Sequence, residues 1–114
     1  MHAEIITPKT RSHKGTYPLK SYVKQLRRIF TCPKSPEEME DFIEDFMSPS
    51  EVRQFVERWL IAELLLRGQS QRKVKQNLGV SISKVSRCAN VVNYGNGAFR
   101  RTFLRLHPKT TPTT

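Results

Sequence analysis

Apolar residues fall at three- and four-residue steps along most of this chain, the period of helices buried along one stripe. Leu19, Tyr22, Val23, Leu26, Ile29 and Phe30 form the first such stripe, which Pro33 closes. Ser35-Pro36-Glu37-Glu38 then supplies a hydroxyl at the N-cap, a proline at the first helical position and a carboxylate at the third, placed to reach back to the cap amide. The same grammar recurs at Ser48-Pro49-Ser50-Glu51. A second helix, with Met39, Phe42, Ile43 and Phe46 inward, therefore ends near Met47, and a third runs on to about Arg67, where Gly68 stops it. This third helix carries Val52, Phe55, Val56, Trp59, Leu60, Ile61, Leu64, Leu65 and Leu66 around more than one face, so burial on several sides is expected. Shorter helices follow over 70–78, 81–93 and 98–106, separated by Gly79 and by the pair Gly95 and Gly97. No stretch alternates with the period of two that a strand requires, so the expected fold is all-α with about six short helices.

Two of those helices are spaced as a helix-turn-helix. Val74, Leu78 and Val85 sit where two short helices cross, Val80 lies beneath the turn, and Gly79 permits the positive φ that so tight a connection needs. The second helix of the pair then presents Ser83, Lys84, Ser86 and Arg87 outward, a short polar set suited to a major groove. Arg72, Lys73 and Lys75 project from the helix before it, the stem of Lys75 running outward along the surface.

Charge strengthens that reading. The chain has 114 residues and a formal charge of +10. Residues 1–31 are basic and residues 32–66 are acidic to the same degree, so the whole net charge falls on residues 67–114, which contain no Asp or Glu. A helical segment with that balance suits a polyanion, with nucleic acid ahead of a membrane surface. At this length, with 37% hydrophobic residues, one domain with a small core is expected. We divide it into a basic flexible arm over 1–16, a helical dimerisation and DNA-binding domain over 17–106, and a disordered tail over 107–114.

Further motifs match a known family. Leu65-Leu66-Arg67-Gly68, Ser70-Gln71-Arg72, Leu78-Gly79 and Ser86-Arg87 resemble the tryptophan repressor superfamily, and Asn93-Tyr94-Gly95-Asn96 resembles its YerC/YecD-type branch. The resemblance spans roughly residues 35 to 104, and its strength lies in the shared order and spacing of several motifs. It implies an intertwined all-helical homodimer whose two helix-turn-helix units read the halves of an inverted-repeat operator. It also implies that Arg72 reads a base, that Gln71 and Lys75 hold phosphates, and that Ile82, Ser83 and Ser86 face base edges. Arg58 and Arg87 match the two arginines that sandwich the indole of tryptophan in the repressor, and Ser48 matches a threonine beside that ligand. Lys84, Cys88 and Val91 stand where the repressor has Thr, Gly and Ser, which removes a polar contact and adds bulk. Tryptophan is therefore not expected to act as a corepressor here.

Other chemistry is set aside. His2, His13 and His107 fall in the expected tails and neither Cys32 nor Cys88 has a second ligand nearby, so no metal is proposed. Two cysteines without disulfide or zinc spacing fit a reduced compartment, with Cys88 as a small core residue. The acidic pairs Glu37 with Glu38 and Asp41 with Glu44 suit the positive end of a helix dipole. No nucleophile with a base, phosphate-cradling glycine loop or cofactor fingerprint is present, so neither an enzyme nor a cofactor is expected. No secretory leader or membrane span is read, and the expected location is the cytoplasm, on the nucleoid. The last helix, with Arg100, Arg101 and Arg105 beside Phe99, Phe103 and Leu104, is the one segment that could lie on a membrane surface, and it is barely three turns long. The reading is a sequence-specific, homodimeric DNA-binding regulator, a repressor by resemblance. The alternative is an architectural binder of DNA or RNA without sequence preference.

Overall fold

The computed structural model describes residues 18–109, so the basic arm and the last five residues lie outside the described part. Six helices and no strand are present among the described residues: α1 (Leu19–Phe30), α2 (Pro36–Phe46), α3 (Pro49–Leu66), α4 (Gln71–Leu78), α5 (Ile82–Tyr94) and α6 (Ala98–Leu106). The chain divides into two compact units between Met47 and Ser48.

In the first unit, α1 and α2 contain no fully buried residue. Ser35 caps α2 by accepting from the Glu38 amide. Phe30 meets the rings of Phe42 and Phe46 edge-on, with centroids 5.5 and 5.7 Å apart, while Phe42 and Phe46 stack. Phe46, expected inside, is 48% exposed, the rings of Phe30 and Phe42 covering only part of it.

The second unit is organised by α3. Its start is a complete capping box: Ser48 Oγ accepts from the Glu51 amide and the Glu51 carboxylate accepts from the Ser48 amide. The bond from the Ser48 backbone, then the one from its hydroxyl, holds the Glu51 carboxyl below its ordinary value. That carboxylate therefore favours the folded chain above its ordinary pKa, and the benefit fades as pH falls through the lowered value. Ser48→Ala should cost about 1 kcal/mol in urea denaturation at neutral pH. A change within a few tenths of a kcal/mol would show that the box contributes nothing.

At the other end of α3, Gly68 adopts φ +96° and turns the chain out of the helix, its amide bonding back to the Leu65 carbonyl. The buried residues of α3 are confined to its last turns. Ile61 and Leu65 pack with Val74, Val80, Val85, Cys88 and Ala89 of the helix-turn-helix. Ala62 and Leu66 pack with Val92 and Phe103, flanked by Trp59 and Phe99. Burial on several sides thus holds for the carboxyl half, where the fully buried residues begin at Ile61 with Trp59 packed at their edge, whereas Phe55, Val56 and Leu60 stay exposed.

His107 packs back on the end of α6. Its amide bonds the Phe103 carbonyl, its ring lies 5.0 Å from the Phe103 ring, and Nε2 approaches Glu63 Oε2 at 3.5 Å. The same carboxylate oxygen accepts from Trp59 Nε1 at 3.0 Å. A half-buried acid thus offers His107 a partner.

Candidate nucleic-acid interface

The helix-turn-helix is built from local signals that all agree. Ser70 caps α4 by accepting from the Lys73 amide, and Ser81 caps α5 by accepting from the Lys84 amide. Between them Gly79 sits at φ +65°, ψ 32°, a left-handed conformation that any side chain would strain. Val74 and Val85 are fully buried where the helices cross, and Val80 is buried at the end of the turn. Leu78 is partly buried against the same cluster.

That packing leaves the polar side chains of both helices at the surface. Gln71, Arg72 and Lys75 on α4 are exposed, as are Ile82, Ser83, Lys84, Ser86 and Arg87 on α5. The candidate DNA-contacting residues of the two helices are therefore all at the surface of one supersecondary unit. Among the described residues no ion pair takes up Arg72, Lys73, Lys75 or Arg87. Two candidates are tied to each other: Ser86 Oγ donates to Gln71 Oε1 at 2.9 Å and bridges α4 to α5. Lys84 is held differently. Its ammonium lies 2.8 Å from Glu57 Oε1 on α3, so its charge is partnered within the chain.

A cleft of about 270 Å³ opens between α3 and α5. Gln54, Glu57, Arg58 and Ile61 line it from α3, and Lys84, Arg87, Cys88 and Val91 from α5, with Phe99 at one end. The structure thus brings together Arg58, Arg87 and Val91 of the candidate ligand pocket. Ser48 is not on the cleft; its hydroxyl is committed to the capping box at the start of α3. Among the described residues Arg58 pairs with no carboxylate; its guanidinium lies 5.4 Å from the centroid of the Phe55 ring. Burial pushes the Cys88 thiol up, against the opposing pull of the Arg58 and Arg87 charges. A protonated, buried thiol is a small apolar surface in the cleft wall, not a nucleophile.

Gln54 and Glu57 are not singled out in the sequence reading, and Phe99 enters it only as an apolar residue of the last helix. The signal was available on α3, where 54, 57, 58 and 61 repeat the i, i+3, i+4, i+7 pattern that 84, 87, 88 and 91 make on α5. Once Arg58 is matched to Arg87, the two stripes face each other. Among the described residues there is no group of acids, histidines and cysteines able to hold a metal, and no helix long and apolar enough to cross a membrane.

The same arrangement recurs in known proteins. The sequence profile of the Trp repressor protein matches residues 21–107. The uncharacterized protein YerC of Bacillus subtilis is 27% identical over 86 residues, covering 73% of this chain and 83% of its own length. A Trp operon repressor homolog of Chlamydia caviae is 32% identical over 77 residues, covering 67% of this chain and 76% of its own. The crystal structure of a TrpR-like protein from Eubacterium eligens superposes with a TM-score of 0.66 at 29% identity, over 75% of this chain and 89% of that one. With a profile match over most of its length and the helix-turn-helix in place, the chain belongs to the Trp repressor family, whose members are DNA-binding regulators and not enzymes.

Proposed function

We propose that this protein is a sequence-specific, homodimeric DNA-binding regulator that acts as a repressor on an inverted-repeat operator. The observation that carries the reading is the exposed polar face of α4 and α5, held by a buried valine crossing and lying in a segment without a single acid. Arg72 reads a base edge, Gln71 and Lys75 hold phosphates, and Ile82, Ser83 and Ser86 face the groove. Arg87, exposed on α5, also lines the cleft.

Dimerisation is supported by the apolar residues that the single chain leaves uncovered. Leu19, Val23 and Leu26 on α1 and Phe55, Val56 and Leu60 on α3 are exposed, a poor arrangement for a lone monomer. Fragments recovered by selection from random duplex DNA should compete for the protein about a thousandfold better than bulk DNA at physiological salt. Equal competition would favour the architectural binder instead. Sedimentation at micromolar concentration should give a dimer.

Regulation by tryptophan is absent in this reading. Val91 offers no hydroxyl to a ligand in the cleft, and the Cys88 side chain fills part of its wall. A ligand group left without a partner there costs about 1–3 kcal/mol, enough to make a weak metabolite site negligible. Calorimetry with millimolar tryptophan should show no saturable heat. Saturable binding that also tightens operator affinity would contradict the proposal.

A further inference from the structure

The helix-turn-helix rests on α3 unevenly. The middle of α5, at Val85, Cys88 and Ala89, shares a buried cluster with Ile61 and Leu65. On the other side of that contact line the 270 Å³ cleft separates Gln54, Glu57 and Arg58 from Lys84, Arg87 and Val91. Across this opening one charged contact joins the two helices: Lys84 Nζ to Glu57 Oε1 at 2.8 Å. Lys84 lies in the first turn of α5, the turn that also carries Ile82 and Ser83. A tie at this point acts on the end of α5 that presents residues to the groove.

We propose that Glu57 and Lys84 form a latch that sets the angle of α5 against α3, so that the DNA-reading face is held in place without a bound ligand. Glu57 is then a positioning residue for DNA recognition although it is an acid, and Lys84 acts through Glu57 instead of through a phosphate. The inference rests on the DNA-binding reading above.

Charge alone and positioning predict opposite results. Removing an acid near a polyanion strengthens binding if only the field matters. If the latch matters, Glu57→Gln weakens it. Because both side chains are partly exposed, the pair is a modest one, and the expected loss is about two- to fivefold. Lys84→Gln should give a similar loss, and the exchange Glu57→Lys with Lys84→Glu, which keeps the net charge, should return affinity to within about twofold of wild type.

The measurement is fluorescence anisotropy of full-length protein on a duplex selected from random DNA and on a random duplex of equal length, over a salt series. The latch predicts a loss with Glu57→Gln, rescue by the exchange, and an unchanged salt slope. Unchanged or tighter binding by Glu57→Gln, or failure of the exchange to rescue, overturns it. So does a salt slope reduced by about one in Lys84→Gln alone, which marks a phosphate contact. If wild type binds neither duplex, the DNA-binding reading fails and the latch with it; if wild type prefers the selected duplex and the exchange does not rescue, the latch alone fails.

Discussion

Replacing Arg72 by alanine should weaken binding to the selected operator by about 1–3 kcal/mol and hardly affect random DNA. A guanidinium can donate two parallel hydrogen bonds to guanine O6 and N7, a geometry no other base edge offers, so losing it removes discrimination. The proposed role of Arg72 is supported by its position in the first turn of α4, its exposure, and its lack of an ion pair among the described residues. Lys75 provides the contrast. One turn further along the same helix, a flexible ammonium meets phosphate as a point charge, and Lys75→Ala should weaken both duplexes alike while lowering the salt slope by about one. Titration of the two variants over a salt series separates the roles. Equal losses on the two duplexes for Arg72→Ala would make it a phosphate contact and move base reading to α5.

Phe103→Ala should lower folding stability by about 3–5 kcal/mol, read from the urea midpoint at constant slope. The ring is wholly buried with Ala62, Leu66 and Val92, and it lies where α6 meets both α3 and α5. The Arg67 guanidinium sits 5.3 Å from its centroid and the His107 ring 5.0 Å, so both lose a surface along with the apolar core. A cavity bounded by three helices collapses poorly, which puts the cost toward the upper end of the range. A loss under about 1 kcal/mol would mean that α6 does not hold the unit together.

Elements were legible where the chain carries local chemistry. Pro33, the two Ser-Pro starts, Gly68 and Gly79 punctuate the helices through steric and hydrogen-bonding rules that act within four residues, and the observed bounds follow them. The valines of the turn were likewise readable, since a crossing so close requires small apolar residues at fixed steps. What failed to show depends on distance along the chain. The Lys84–Glu57 pair joins positions 27 residues apart, and no local pattern distinguishes a lysine aimed at DNA from one aimed at a carboxylate. Ser48 illustrates the opposite limit: its capping role follows from Ser-Pro-Ser-Glu, whereas its match to a ligand-side threonine says nothing about where the hydroxyl points. The contacts of His107 with the Phe103 ring and the Glu63 carboxylate likewise leave no local trace among the threonines and prolines around it.

Under the proposed function, two copies of this helix-turn-helix read two half-sites on one face of a duplex. The direct measurement is affinity for the selected operator against the same operator with five base pairs inserted at its centre. Half-site centres one helical turn apart, about 34–36 Å, let both recognition helices enter the groove together, and an insertion of half a turn carries one half-site to the far side. The account predicts an inverted repeat bound by a dimer, with affinity falling by at least about a hundredfold on insertion as the second helix loses its bases. Unchanged affinity on insertion, or binding of one protomer to a single half-site as tightly as to the whole operator, would contradict it.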